Sequence, residues 1–135
     1  MEVKVKKHVE VVAAVIKKGD YYFAAKRNEF GEMGGRYEFP GGKIEQGESN
    51  EAALIREIKE ELNAEIEVVE FIMTVNHEYE TFKITLHAYL CELVSETITL
   101  KEHVDSKWVT KENIDKLRWA DADIPIIKLL KIQNV

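Results

Sequence analysis

A chain of 135 residues fits a single domain, residues 1–135, and is long enough to bury a real core. Hydrophobic residues at 45% and charged residues at 33% exclude a disordered chain, and no apolar run reaches the roughly 20 residues a bilayer span requires. The net charge of −6 argues against a protein that coats a nucleic-acid polymer, but it leaves a small nucleotide open, because a bound cation can supply positive charge.

The segment MEVKVKKHVEVVAAVIKKGD has basic residues and then an apolar run, the outline of a signal peptide. Glu10 breaks the run over residues 9–16 and no small-residue cleavage site follows, so it reads as a strand. With YYFAAKRN it forms a predicted hairpin that turns at Lys18-Gly19-Asp20. The glycine-rich EFGEMGGRYEFPGG reads as a loop through residue 42. Ser49 and Asn50 can cap the next segment, where Leu54, Ile55, Ile58 and Leu62 share one face, so residues 50–62 are a predicted amphipathic helix. EIEVVEFIMTVNHEYE and FKITLHAYLCELVS are predicted strands, rich in β-branched and aromatic residues. The single cysteine, Cys91, excludes an internal disulfide, suits a reducing cytosol and reads as a buried strand thiol. KWVT is a short strand, KENIDKL a short helix, and DADIPIIKLLKIQ a terminal helix that admits Pro125 in its first turn. His8, His77, His87 and His103 show no zinc spacing and read as strand or loop residues. The order of elements predicts an α/β (α+β) fold with a mixed sheet covered by helices on its faces.

Seven glutamates crowd into residues 41–66. At about 100° per residue, Glu60 and Glu61 flank Glu57 at about −60° and +40°, beside an apolar stripe at roughly 60° to 160°. These like charges repel, no lysine on that face relieves them, and Glu61 sits at the helix C-terminus, where the macrodipole disfavours an anion. A hard divalent cation would reverse the sign. Two readings stand on the carboxylates alone, a solvated acidic face and a metal site.

From Gly42 the chain reads Gly, five residues, Glu48, seven residues, then Arg56-Glu57-Ile58-Lys59-Glu60-Glu61-Leu62-Asn63-Ala64. This resembles the Nudix hydrolase box, G-x5-E-x7-R-E-U-x-E-E-x-G-U with U aliphatic, and every charged position matches at its spacing. The departure is Asn63 in place of the last glycine, where Asn is the residue next best suited to a left-handed helix end. The resemblance implies a Nudix-like α/β/α sandwich with a mixed central sheet. It implies a metal held by the Gly41 carbonyl with Glu57, Glu60 and Glu61, the metal being Mg²⁺ with Mn²⁺ as the alternative. Gly41 and Gly42 would let the backbone approach closely. Glu48 and Arg56 would pair to fix the loop on the helix, unless they form only a surface salt bridge. The family reaction is attack of water on a phosphorus of a nucleoside diphosphate linked to a group X.

The likeness extends over most of the chain. VEVVAAVI, FAAKR, YEFPGGKIEQGES, ITLHAYL, the Glu102-to-Trp108 spacing and ADADIPII are similar to the MutT-type and cytidine-type nucleoside triphosphate pyrophosphohydrolases. That implies a metal-site role for Glu102, otherwise a surface acid, with Glu57 or Glu102 as general base. It also implies a nucleotide site with Arg27, Phe39, Gly42, Lys43 and Asp123. Asp123 would read the base edge or merely cap the last helix, and with two oxygens it could do both. An ionised Asp only accepts hydrogen bonds, so it would favour the donor-bearing edges of cytosine or guanine over uracil or thymine.

Other branches fit less well. Gly31 stands where coenzyme A hydrolases carry a second arginine, and the proline of ADP-ribose hydrolases is absent. Tyr79 gives weak support to a dinucleoside polyphosphate hydrolase. A non-catalytic nucleotide-binding Nudix domain would have lost box carboxylates, and a plain acidic interaction domain would need no metal. The expected protein is therefore a Mg²⁺-dependent nucleoside triphosphate pyrophosphohydrolase giving the monophosphate and pyrophosphate. Its role would be housecleaning of the nucleotide pool in the cytoplasm, with an 8-oxo-dGTP-type or (d)CTP-type substrate. Its partner is the small nucleotide, with no nucleic-acid polymer and no membrane, and the chain is a monomer or homodimer.

Overall fold

The computed structural model describes residues 5–28 and 34–133; Gly31 lies outside the described residues. Strands β1 (Lys7–Lys18) and β2 (Tyr21–Lys26) form the expected hairpin, closed by Lys18 opposite Tyr21, with Gly19 at φ +59° in the turn. The stretch read as a loop through residue 42 contains two short strands, β3 (Tyr37–Glu38) and β4 (Gly41–Lys43). The correction has a steric reason. Gly41 and Gly42 lie opposite Ala13 and Val12 of β1, and a Cβ on Gly41 would collide with the Val12 carbonyl. Missing side chains here permit backbone contact rather than disorder.

Helix α1 (Asn50–Leu62) has the predicted bounds, and β5 (Ile66–Glu78) and β6 (Phe82–Leu93) follow as the two long strands. Strand β7 (Asp105–Val109) begins earlier than KWVT, because it pairs with β2 as far as Asp105 opposite Lys26. The short helix expected at KENIDKL shrinks to a 3-10 turn, Ile114–Lys116, in which only Ile114 is buried; one apolar anchor does not sustain further turns. Helix α2 (Ile124–Ile132) admits Pro125 in its first turn as predicted.

The sheet runs β3-β2-β1-β6-β5, with β4 added on β1 and β7 on β2. β1 pairs with β6 in parallel and the other strand-to-strand pairings are antiparallel, apart from an isolated parallel bridge between Tyr37 and Trp119, so the sheet is mixed. Alternation along β1 makes the sandwich. Val12, Ala14 and Ile16 pack with Leu54, Ile58 and Leu62 of α1, while Ala13 and Val15 pack with Ile126, Ile127 and Leu130 of α2. Cys91 is buried on the α1 side, and burial pushes its thiol up to about 12, as expected for an inert strand cysteine. His8, His77 and His87 lie in strands and His103 in the connection between β6 and β7.

Candidate active site

Local chemistry fixes α1 at both ends. Ser49 Oγ accepts from the Ala52 N–H at 3.1 Å, whereas Asn50 donates instead to the Tyr89 hydroxyl at 3.1 Å. Asn63 closes the helix in the left-handed conformation, φ 48° and ψ 40°, with its N–H on the Lys59 carbonyl. Two carbonyls of the last turn are then satisfied from outside. Thr99 N–H reaches Leu62 O at 2.7 Å and Lys101 N–H reaches Glu61 O at 3.2 Å. The connection from β6 to β7 is thereby docked on the helix end and carries Glu102 to it.

The buried face of α1 differs from the predicted stripe. Ile55 is 47% exposed, while Ala53, at about −40° on the same wheel, is fully buried. The inward sector thus runs from Ala53 to Leu62 and includes Glu57 and Glu61. These carboxylates lie within the packed face, not beside it. The Glu60 side chain is 59% exposed and that of Glu57 only 14%.

Arg56 relieves the repulsion that no lysine relieves. Its Nε and Nη2 grip the two oxygens of Glu48 at 2.7 and 2.9 Å, and Nη1 donates to Glu57 at 2.9 Å and to Glu60 at 3.1 Å. Nη2 also reaches the Lys43 carbonyl at 3.1 Å, tying the β4 loop to the helix. The Arg56 guanidinium, aided by the Glu45 N–H, holds Glu48 down at about 2. The pair is a bidentate clamp with further partners rather than a lone surface bridge.

Glu61 is the strained member. Burial first, then the charges of Glu57, Glu38 and Glu102, raise it to about 8 against a smaller lowering by Arg27. Its Oε2 is buried without a hydrogen-bond partner. Across from the helix, a Cβ on Gly42 would overlap the Glu57 carboxylate, so the glycine leaves room for that group.

A cleft of about 910 Å³ gathers Arg27, Phe39, Gly41, Gly42, Lys43, Glu57, Glu61, Glu102 and Asp123, along with Glu38 and His103. Val9, Val11, Ile84 and Leu86, neighbours across the β1–β6 pairing, add an apolar wall. Glu48, Arg56 and Glu60 do not line it; they stand behind Glu57. Sequence reading missed Glu38 and His103. Glu38 accepts from Arg27 Nη1 at 3.1 Å and pairs with His103 Nε2 at 2.8 Å. Glu38 lies between the buried aromatics Tyr37 and Phe39, and that alternation was the only signal available.

Asp123 is 3% exposed, and its side chain makes no capping bond to α2; Oδ1 faces the Phe39 N–H at 3.3 Å. The capping alternative therefore falls away. Burial first, then Glu38, pushes its carboxyl well above the usual range, against the Phe39 N–H and Arg27. The assumption of an ionised Asp is corrected with it: burial in this site favours the neutral acid. The Tyr79 hydroxyl is occupied by the Ala122 N–H at 3.0 Å.

Among the described residues, no three His, Cys, Asp or Glu side chains are gathered as a ready metal cluster. The donor set nevertheless suits a hard cation. Glu61 has a buried oxygen in need of a partner, Glu57 stands in the same cleft, and Arg56 already neutralises charge that a cation would compete for.

A family model for the NUDIX domain matches residues 11–129. The chain is 35% identical over 122 residues to the CTP pyrophosphohydrolase of Escherichia coli, covering 90% of each. It is 40% identical over 86 residues to the 8-oxo-dGTP diphosphatase of Proteus vulgaris, covering 63% of this chain and 77% of that one. Among solved structures, the DNA mismatch repair protein MutT (family Nudix hydrolase) of methicillin-resistant Staphylococcus aureus matches with a TM-score of 0.78 and 38% identity. That match covers 96% of this chain and 100% of the other. The chain belongs to the Nudix hydrolase family, whose members use divalent metal ions.

Proposed function

We propose that this Nudix hydrolase cleaves nucleoside triphosphates to the monophosphate and pyrophosphate, acting on cytosine or oxidised-guanine nucleotides as a housecleaning enzyme of the cytoplasm. One observation carries the reading: Glu61, whose Oε2 is buried without a partner, lines the same cleft as Glu57, Glu102 and Asp123. The names of the E. coli and Proteus relatives support the substrate class. The presence of every box carboxylate weighs against a non-catalytic domain.

In this reading Glu57, Glu61, Glu102 and the Gly41 carbonyl would hold Mg²⁺ or Mn²⁺, and Glu60 would join them by turning from Arg56. When bound, the cation neutralises phosphate oxygens and lowers the pKa of water. Glu57 or Glu102 takes the proton of the attacking water. Arg56 and Glu48 hold the β4 loop against α1 so that Gly41 and Gly42 meet the polyphosphate as backbone. Arg27 and Lys43 face the polyphosphate, while Phe39 and Asp123 meet the base. No helix of the described residues is long and apolar enough to cross a membrane.

The test is pyrophosphate release from a panel of canonical and 8-oxo nucleoside triphosphates, with and without Mg²⁺. CTP-type or 8-oxo-dGTP-type nucleotides should be preferred, and release should stop on chelation. Metal-independent release, or none from any triphosphate, overturns the proposal.

A further inference from the structure

His103 behaves unlike the residues around it. Its chain neighbours Glu102 and Val104 are exposed, yet its side chain is only 6% exposed. Histidine in a surface connection has no general reason to be buried. A carboxylate can only accept, so the 2.8 Å contact with Glu38 Oε2 is made by an Nε2–H donor. Nδ1 is buried and has no hydrogen-bond partner. The ring is thus burdened with an unmet polar atom and attached through one specific bond.

That bond has a rigid far end. Glu38 is held from its other oxygen by Arg27 Nη1, so it stands fixed in the cleft wall. The segment that carries His103 is fixed on each side by its backbone. Lys101 N–H binds the Glu61 carbonyl at 3.2 Å, and Val104 N–H binds the Lys26 carbonyl at 2.9 Å. Between these anchors lies Glu102, which lines the cleft. We propose that His103 is a positioning residue: by pinning its segment to Glu38 it sets the Glu102 carboxylate against Glu57 and Glu61 for cation binding. This rests on the metal-site role given above to Glu102.

The test uses geometry peculiar to histidine. The amide nitrogen of Gln reaches the place of Nε2, whereas that of Asn stops near Nδ1. Mn²⁺ binding to the nucleotide-free protein is measured by titration calorimetry or electron paramagnetic resonance, alongside steady-state kinetics. His103→Asn should weaken Mn²⁺ binding by roughly tenfold or more, as losses of ligand-orienting bonds do. His103→Gln should restore it to within about threefold of wild type. The nucleotide KM should move less than kcat, since the Arg27–Glu38 pair is left in place. In a Glu102→Gln background, His103→Asn should add less than about a twofold loss.

Should His103→Asn not fold, His103→Phe keeps the ring volume without the donor and must show the same weakening. A lower melting temperature with unchanged Mn²⁺ affinity overturns the proposal, as does failure of Gln to restore binding. A full additional penalty in the Glu102→Gln background also overturns it, because His103 would then act through another group. If Glu102→Gln alone leaves Mn²⁺ affinity intact, the ligand role of Glu102 is what has failed, and the inference falls with it.

Discussion

Burial lifts the Asp123 carboxyl well above the usual range while Oδ1 faces the Phe39 N–H, which favours the neutral acid with its proton on Oδ2. A neutral acid donates there, as an amide would, and it no longer penalises a uracil edge in the way a carboxylate does. Asp123→Asn should therefore keep kcat/KM within roughly threefold, whereas Asp123→Ala should raise KM about tenfold or more with a smaller fall in kcat. Discrimination against uracil and thymine edges should sharpen as rising pH ionises Asp123, and the Asn variant should show no such change. A severe defect in the Asn variant, measured in steady-state assays from pH 6 to 9, would show that the ionised form binds. Glu61 makes a second titration argument. Its folded value is raised to about 8 from an ordinary 4.5, so the folded state holds a proton that the unfolded state releases. That stabilisation is complete below about 4.5 and lost as pH climbs through about 8. In metal-free buffer Glu61→Gln should match wild type near pH 4 and melt higher at pH 9. Thermal denaturation across that range checks it, and equal melting temperatures at pH 9 would contradict the burial of the charge.

The two glycines of β4 look alike in sequence and differ in what they face. A Cβ at Gly41 strikes the β1 backbone, which cannot move aside, and one at Gly42 strikes the movable end of Glu57. Gly41→Ala should destabilise by several kcal/mol or prevent folding, on the order of an overpacked core site. Gly42→Ala should fold with a loss of about 1 kcal/mol or less and lose most turnover, because the Glu57 carboxylate is displaced. Chemical denaturation together with a turnover assay separates them. At the other end of α1, Asn63→Gly should shift stability by less than about 1 kcal/mol, while Asn63→Val should be clearly destabilising, since a β-branched residue resists positive φ. Both ends of α1 were legible in the sequence because Ser49, the apolar spacing and Asn63 act locally. β3 and β4 were not, because their pairing depends on β1 and β2, distant in the chain. His103 and Glu38 were hidden for the same reason: a loop histidine and a strand glutamate become a pair only when β2, β3 and β7 assemble. The ionisation of Asp123 could not be read from its identity either, since burial by the rest of the fold decides it.

At the scale of the whole molecule, the axis of the sheet is the parallel pairing of β1 with β6, in which Lys7 lies opposite Phe82 and Lys17 opposite Glu92. The strand that separates the two helical layers therefore finds its main partner only after most of the chain has been laid down. This has a kinetic consequence. A nascent chain carries the apolar run from Val11 to Ile16 unpaired on one edge until β6 emerges, with the charges of Glu10, Lys17 and Lys18 as its guard against association. Refolding from denaturant should be limited by closure of that long loop and fall in the millisecond-to-second range of topologies rich in distant contacts. Leu86→Ala, which trims β6 opposite Val11, should slow refolding in stopped-flow measurements as well as speed unfolding. If only unfolding accelerates, the central pair forms after the barrier, and the β1–β2 hairpin with its α1 layer is the nucleus instead.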